Sequence, residues 1–220
     1  MKALIAGLIA LVVLAWGLDV SVAARGGSGP WVVRQEVLNL SGVLAIAMMS
    51  LATFLAARPA WLERPLGGLD RMYRIHKAAA ILGVGFAVVH WFTKEVVGDV
   101  LKSIAGSAGR VPKEKFAGVL DVLRDLAKDM GEWGFYVLLA MIALALWKRV
   151  PYRPWRFLHQ AMPVLYLALA FHAVMWAPTG YWTEPLGMLL AVLVGAGTYG
   201  SVLALAGSIG RKRRVSGTVV

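Results

Sequence analysis

The 220-residue sequence is 59% hydrophobic, has a mean hydropathy of +0.68 and carries a formal net charge of +11. Long apolar runs recur along the whole chain, which excludes an ordinary soluble domain and indicates a multi-pass membrane protein. The sequence contains no cysteine. Disulfides, iron–sulfur clusters, thiolate metal sites and covalently attached haem are therefore excluded.

Six apolar segments are long enough to cross a bilayer, and they predict an all-α membrane protein built as a six-helix bundle. The first segment follows Lys2, and we expect a retained helix; a signal peptide ending near Ala24 is the alternative. The fourth segment is the shortest. The predicted spans are residues 3–24, 38–57, 75–93, 134–147, 157–176 and 186–208.

The basic residues predict the orientation, because cytoplasmic loops retain Lys and Arg. Six spans place both termini on one side, where fourteen of the 23 basic residues lie with only two acidic ones, Glu63 and Asp70. We therefore expect cytoplasmic termini in a bacterial-type cytoplasmic membrane, with a basic face towards anionic lipid and no nucleic-acid partner. These basic residues are Lys2, Arg58, Arg64, Arg71, Arg74, Lys77, Lys148, Arg149, Arg153, Arg156, Arg211, Lys212, Arg213 and Arg214.

The chain has four histidines, which fall in two pairs. His76 and His90 lie on the third span, and His159 and His172 lie on the fifth, so the members of each pair are about 20 Å apart along their helix. Both spans run outwards from the cytoplasm, which puts His76 level with His159 and His90 level with His172. Facing imidazoles can fill both axial positions of a haem iron, so the pattern predicts two stacked b-type haems. Proton relay or hydrogen-bonded packing is the alternative for any single histidine.

The spacing on the fifth span requires a helix that is not straight. A step of fourteen residues returns to within about 40° of the same helix face, whereas thirteen residues end about 140° away. Pro163 lies four residues after His159 and cannot donate the hydrogen bond that the His159 carbonyl would otherwise accept. We therefore predict a kink at this proline.

The largest predicted segment outside the membrane covers about residues 95–132. Apolar residues recur at helical spacing from Phe116 to Met130, which predicts an amphipathic helix on the outer surface, either as a lid over the outer haem or resting on lipid. Trp91 and Trp176 each lie within a turn of an outer histidine, and we expect them to pack on the porphyrin or to line the electron exit. Interface anchoring is the expectation for Trp31, Trp61, Trp133 and Trp182.

Haem propionates need cations or hydrogen-bond donors inside a low-dielectric bundle. Lys94 and Arg34 are the predicted partners at the outer level, with contact to lipid headgroups as the alternative. The predicted partners at the inner level are Arg71, Arg74, Lys77 and Arg156.

The segments around the histidines, residues 69–77, 89–91, 154–159 and 170–172, resemble the ferric reductase-like transmembrane domain shared by bacterial ferric reductases, fungal and plant iron reductases and NADPH oxidases. The resemblance implies a dihaem domain over residues 1–210, with the four histidines as the iron ligands and no catalytic side chain. It also implies that electrons pass singly from a cytoplasmic flavin, through the inner and then the outer haem, to an external acceptor such as ferric iron or oxygen.

The last ten residues, 211–220, combine a basic stop with a β-prone run. By the same resemblance, this run is the expected first strand of a flavin-binding domain, so FAD and NAD(P)H would bind a missing or separate cytoplasmic reductase domain. The 220 residues contain no Gly-rich dinucleotide fingerprint. Two alternatives stay open: a haem subunit of a periplasmic methionine sulfoxide reductase fed by quinol or flavin, and a transporter with proton-relay histidines.

Overall fold

The computed structural model is all-helical over the residues that it describes, which are 2–22, 26–27, 29–147, 149 and 151–207. This confirms the predicted all-α class. The residues beyond 207, where the basic stop and the strand are predicted, lie outside the described part. The helices are α1 (Lys2–Val22), α2 (Gly29–Ala56), α3 (Ala60–Leu66), α4 (Leu69–Phe92), α5 (Gly98–Ala105), α6 (Val119–Leu146), α7 (Tyr152–His159), α8 (Met162–Trp176) and α9 (Pro185–Leu205), with a π-helical turn at Thr93–Val97 and a 3₁₀ turn at Thr179–Thr183.

Five helical segments in the described part of the chain are long and apolar enough to cross a membrane. They correspond to five of the six predicted spans, and the protein is therefore a multi-pass membrane protein. The remaining predicted span, residues 134–147, overlaps the C-terminal half of α6, which is not among the five. The segments are Lys2–Val20, Gly29–Ala56, Leu69–Ala105, Tyr152–Trp176 and Pro185–Leu205.

Helix α6 joins two elements that the sequence predicts separately. Its 28 residues run without interruption from Val119 to Leu146, so the amphipathic segment extends the helix of the predicted fourth span instead of forming a surface helix of its own. Gly131 and Gly134 lie inside α6 without breaking it, and side chains of α8 lie directly beside both of them. The helix begins after Gly118, whose φ of 64° is a left-handed value that glycine adopts without strain.

Helix α4 continues past the predicted end of the third span. A π-helical turn at Thr93–Val97 leads into α5, so the chain stays helical to Ala105. In such a turn the i to i+4 bonding is interrupted, which leaves carbonyl groups for other donors. Arg34 of α2 uses one of them, since its Nη2 donates to the Lys94 carbonyl at 2.7 Å. Gly98 leaves room for that guanidinium, because a Cβ there would lie 2.8 Å from the same Nη2.

The fifth predicted span is interrupted, as Pro163 predicts. Helix α7 ends at His159, and α8 begins at Met162 with Pro163 as its second residue. The Ala161 carbonyl accepts the first amides of α8, from Val164 at 3.0 Å and from Leu165 at 3.2 Å. The break separates the helical turn that carries His159 from the helix that carries His172.

Helix α2 lies at the centre of the bundle and packs against α4, α8 and α9. Glycine allows a close approach to α9, since a Cβ on Gly200 would lie 2.8 Å from the Thr53 carbonyl oxygen. Tyr166 of α8 crosses to both neighbours: its hydroxyl is hydrogen-bonded to Ser50 at 2.8 Å and donates to the Val194 carbonyl at 3.3 Å. Small residues and one buried hydroxyl network therefore fix α8 and α9 against α2.

Candidate functional site

The structure brings the four histidines together in the two predicted pairs. The ring centroids of His76 and His159 are 6.2 Å apart, and those of His90 and His172 are 6.4 Å apart. The interplanar angles are 88° and 84°, so the two rings of each pair are nearly perpendicular. Each pair joins α4 to the α7–α8 unit, at opposite ends of α4.

Three of the four rings are fixed by a hydrogen bond from Nδ1 to a backbone carbonyl of a neighbouring helix. Because a carbonyl oxygen only accepts, Nδ1 carries the proton, and the lone pair is left on Nε2. This is the arrangement that orients metal-ligating histidines in proteins. The bonds run from His76 to Ala52 at 2.8 Å, from His90 to Leu38 at 2.9 Å and from His172 to Ala127 at 2.8 Å.

His159 is held by an aromatic contact. Its ring stacks on the Trp155 indole one turn earlier, with centroids 4.9 Å apart and planes 16° from parallel. The Trp155 Nε1 atom is buried and has no hydrogen-bond partner among the described residues. An unpaired buried donor beside His159 fits a site that holds an acceptor group when it is loaded.

Comparison with known families identifies the architecture. The sequence profile of the family described as ferric reductase like transmembrane component matches residues 41–170, which is more than half of the chain. The chain belongs to this family. The matched region begins in α2 and contains His76, His90 and His159. A comparison with curated proteins finds no match for the chain.

Membership of the ferric reductase-like transmembrane family indicates an oxidoreductase that moves electrons across a membrane.

The two tryptophans that are predicted near the outer pair, Trp91 and Trp176, contact residues of α6. Trp91 stacks on Phe135 with centroids 5.5 Å apart, while the Trp176 indole donates to the Arg124 carbonyl at 3.0 Å and lies under the Arg124 guanidinium at 4.7 Å. Their contact with a porphyrin stays a prediction.

Charged residues of both signs surround the outer pair of this ferric reductase-like protein. Lys94 lies one turn after His90, and its ammonium is 2.7 Å from Glu95 and 3.5 Å from Glu132. The sequence predicts the cation but not the two carboxylates, because the approach of Glu95 and Glu132 to Lys94 depends on the π-helical turn and on the uninterrupted α6.

The cations that are predicted at the inner level are all exposed in the structure; they are Arg71, Arg74, Lys77 and Arg156.

One predicted interface anchor has a different place. Trp31 is only 3% exposed, and the guanidinium groups of Arg34 and Arg110 lie 5.7 and 4.8 Å from its ring centroid. The prediction that Trp31 anchors in lipid is therefore wrong, since cation–π contacts bury the ring inside the protein. Trp61, Trp133 and Trp182 are exposed, in agreement with an interfacial position.

Proposed function

We propose that this protein carries electrons across the cytoplasmic membrane through two b-type haems. His76 and His159 hold the inner haem, and His90 and His172 hold the outer one. The electrons come from a flavin and NAD(P)H reductase domain or subunit in the cytoplasm and pass to an external acceptor, ferric iron or oxygen. A bound haem supplies a one-electron iron couple to each pair of histidines.

The spacing of the paired imidazoles supports this proposal most directly. A bond from imidazole nitrogen to a first-row metal is about 2 Å long, and the ring centroid lies about 1 Å beyond the nitrogen, so two axial imidazoles on one iron have centroids about 6 Å apart. In the structure, the two pairs have centroid separations of 6.2 and 6.4 Å. The residues present therefore fit the group, in ring separation and in the free Nε2 lone pairs.

The same geometry favours haem ligation over proton relay. A relay requires histidines linked to one another or to water through both ring nitrogens. Here the Nδ1 atoms of His76, His90 and His172 are bonded to backbone carbonyls, which cannot pass a proton on.

The basic residues support the direction of electron flow. The cations of the inner face lie around the start of α4 and in α7, next to His76 and His159, and a basic face is expected on the cytoplasmic side. The donor therefore meets the His76–His159 pair first. Each pair of histidines would hold its haem between two imidazoles, so an external acceptor would take its electron at the protein surface around His90 and His172.

An absorption experiment on the purified chain tests the proposal. The difference spectrum between dithionite-reduced and oxidised protein, together with haem extraction, should give two low-spin b haems per chain. His76→Ala should leave the outer haem only, and His90→Ala the inner haem only. A wild-type chain without haem, or single variants that retain two haems with unaltered spectra, would refute the ligand assignment.

A further inference from the structure

Two glycines lie directly against the outer histidines. A Cβ built on Gly42 of α2 would lie 2.9 Å from Nδ1 and 3.1 Å from Cε1 of His90. A Cβ on Gly131 of α6 would lie 2.5 Å from Cε1 and 2.6 Å from Cγ of His172, and closer still to its Nδ1. Real Cβ atoms essentially never approach another atom to less than 3.0 Å, and each position has at least one contact shorter than that, so a side chain at either position would displace the imidazole.

Each glycine has the same relation to the carbonyl that holds its histidine. Gly42 follows Leu38 by four residues, and Gly131 follows Ala127 by four residues, which is one helical turn on the same face. A side chain on a helix leans towards the N-terminus and covers the preceding turn. At Gly42 and Gly131 the imidazole itself occupies this space, so a Cβ there would strike the ring where it reaches its carbonyl acceptor.

We infer that Gly42 and Gly131 are positioning residues for the outer haem, holding open the space in which His90 and His172 bond to the backbone and present Nε2 to the iron. This inference rests on the proposed haem ligation. It adds two residues, on two helices that supply no ligand, to the determinants of the outer site.

The histidines of the inner site do not depend on a neighbouring glycine in this way. His76 bonds to the Ala52 carbonyl, and the residue one turn on is Ala56, which is exposed at the end of α2, where a methyl group has room. His159 is held by the Trp155 ring. Substituting the two glycines should therefore affect one haem and spare the other.

Close helix packing is the competing explanation for a glycine in a membrane helix. Gly134 provides a matched control on α6, because a Cβ there would lie 2.8 Å from Cδ2 of Leu169 and its nearest neighbours all belong to leucines. Gly85 provides a second control on α4, where a Cβ would have no atom within 4 Å apart from local helix backbone. The Gly134→Ala variant perturbs α6 against α8, and Gly85→Ala tests the effect of alanine in α4.

The test compares Gly42→Ala and Gly131→Ala with these controls in purified full-length protein. The readouts are haem content per chain, the low-spin electron paramagnetic resonance (EPR) signals and the midpoint potential of each haem. Both variants should lose the outer haem or change its EPR signal and potential, with the inner haem unaltered. Gly134→Ala and Gly85→Ala should keep both haems. Wild-type outer signals in both Gly42→Ala and Gly131→Ala would overturn the inference.

A second arm covers the case in which Gly42→Ala does not accumulate in the membrane. Combining it with His90→Ala removes the ring that the new methyl group would strike. The double variant should then accumulate as well as His90→Ala alone. If the double variant fails to accumulate as the single glycine variant does, Gly42 serves helix packing and the inference is wrong.

Failure of the inference and failure of the proposed function give different results. A wild-type chain without haem would refute both. Two haems that are unaffected by substitution of either glycine would refute the inference alone.

Discussion

Neutralising the charges beside His90 and His172 should shift the midpoint potential of the proposed outer haem, in opposite directions for the two signs of charge. Lys94 lies one turn from His90, and Glu132 follows the glycine that contacts His172, so both charges lie within about 10 Å of the midpoint between the two rings. Removing the ammonium in Lys94→Gln disfavours the added electron and should lower the midpoint potential. Removing the carboxylate in Glu132→Gln should raise it.

The size of the shift follows from Coulomb's law. A unit charge at about 10 Å contributes about 1.7 kcal/mol at an effective dielectric constant of about 20. The two side chains are 35% and 44% exposed, so water screens part of this interaction, and roughly 1 kcal/mol is left. For a one-electron couple that equals about 40 mV, negative for Lys94→Gln and positive for Glu132→Gln.

A redox titration followed in the haem absorption bands measures both potentials in one sample. The proposed inner haem, about 20 Å away along α4, serves as an internal comparison, because the Coulomb interaction falls with distance and its potential should shift less than that of the outer haem. Lys102→Gln, two turns further along from Lys94, is the matched control and should leave both potentials unaltered. Shifts of the same sign in the two variants, or none above the error of the titration, would show that these charges do not act on the outer iron.

Three further predictions concern the rings and the helix break. Trp155→Leu removes the stacking partner of His159, a contact worth about 1 kcal/mol. Retention of the proposed inner haem should weaken about fivefold, as measured by haem transfer to apomyoglobin. Trp155→Phe keeps an aromatic ring and should restore retention. Near-perpendicular axial imidazoles leave two iron d orbitals almost equal in energy, so both oxidised haems should give highly anisotropic low-spin EPR signals; spectra typical of parallel rings would contradict the observed angles. Pro163→Ala lets α7 and α8 join, which would turn His159 away from His76, so haem content should fall to one per chain; two haems in this variant would show that another feature sets the break.

The pairing of histidines was predictable from the sequence because it depends on few quantities. Helical rise fixes the depth of a residue in the membrane, and basic loops fix the direction of each span, so His76 and His159 had to be level. The position of the break was predictable as well, since Pro163 removes one specific hydrogen bond.

The surroundings of the rings were not predictable in the same way. Which carbonyl accepts from His90 depends on the register between α2 and α4, and no residue type marks a backbone acceptor. Gly42 and Gly131 are visible in the sequence as glycines within helices. The sequence alone does not show whether such a glycine leaves space for a histidine ring or allows two helices to pack closely. The π-helical turn at Thr93–Val97 coincides with a tertiary contact, the bond from Arg34 to the Lys94 carbonyl, and no local motif predicts it.

The two acceptor carbonyls on α2 belong to Leu38 and Ala52, which are fourteen residues apart, as are the histidines on α4 that bond to them. The two bonds therefore require the same spacing on both antiparallel helices. If one residue were inserted between the two positions on either helix, only one of the two bonds could form. A thicker or thinner bilayer can tilt this helix pair as a unit or distort its ends. A change in bilayer thickness cannot lengthen the spacing between the two histidine pairs along α4. The distance that an electron crosses between the proposed haems therefore does not depend on the thickness of the surrounding lipid.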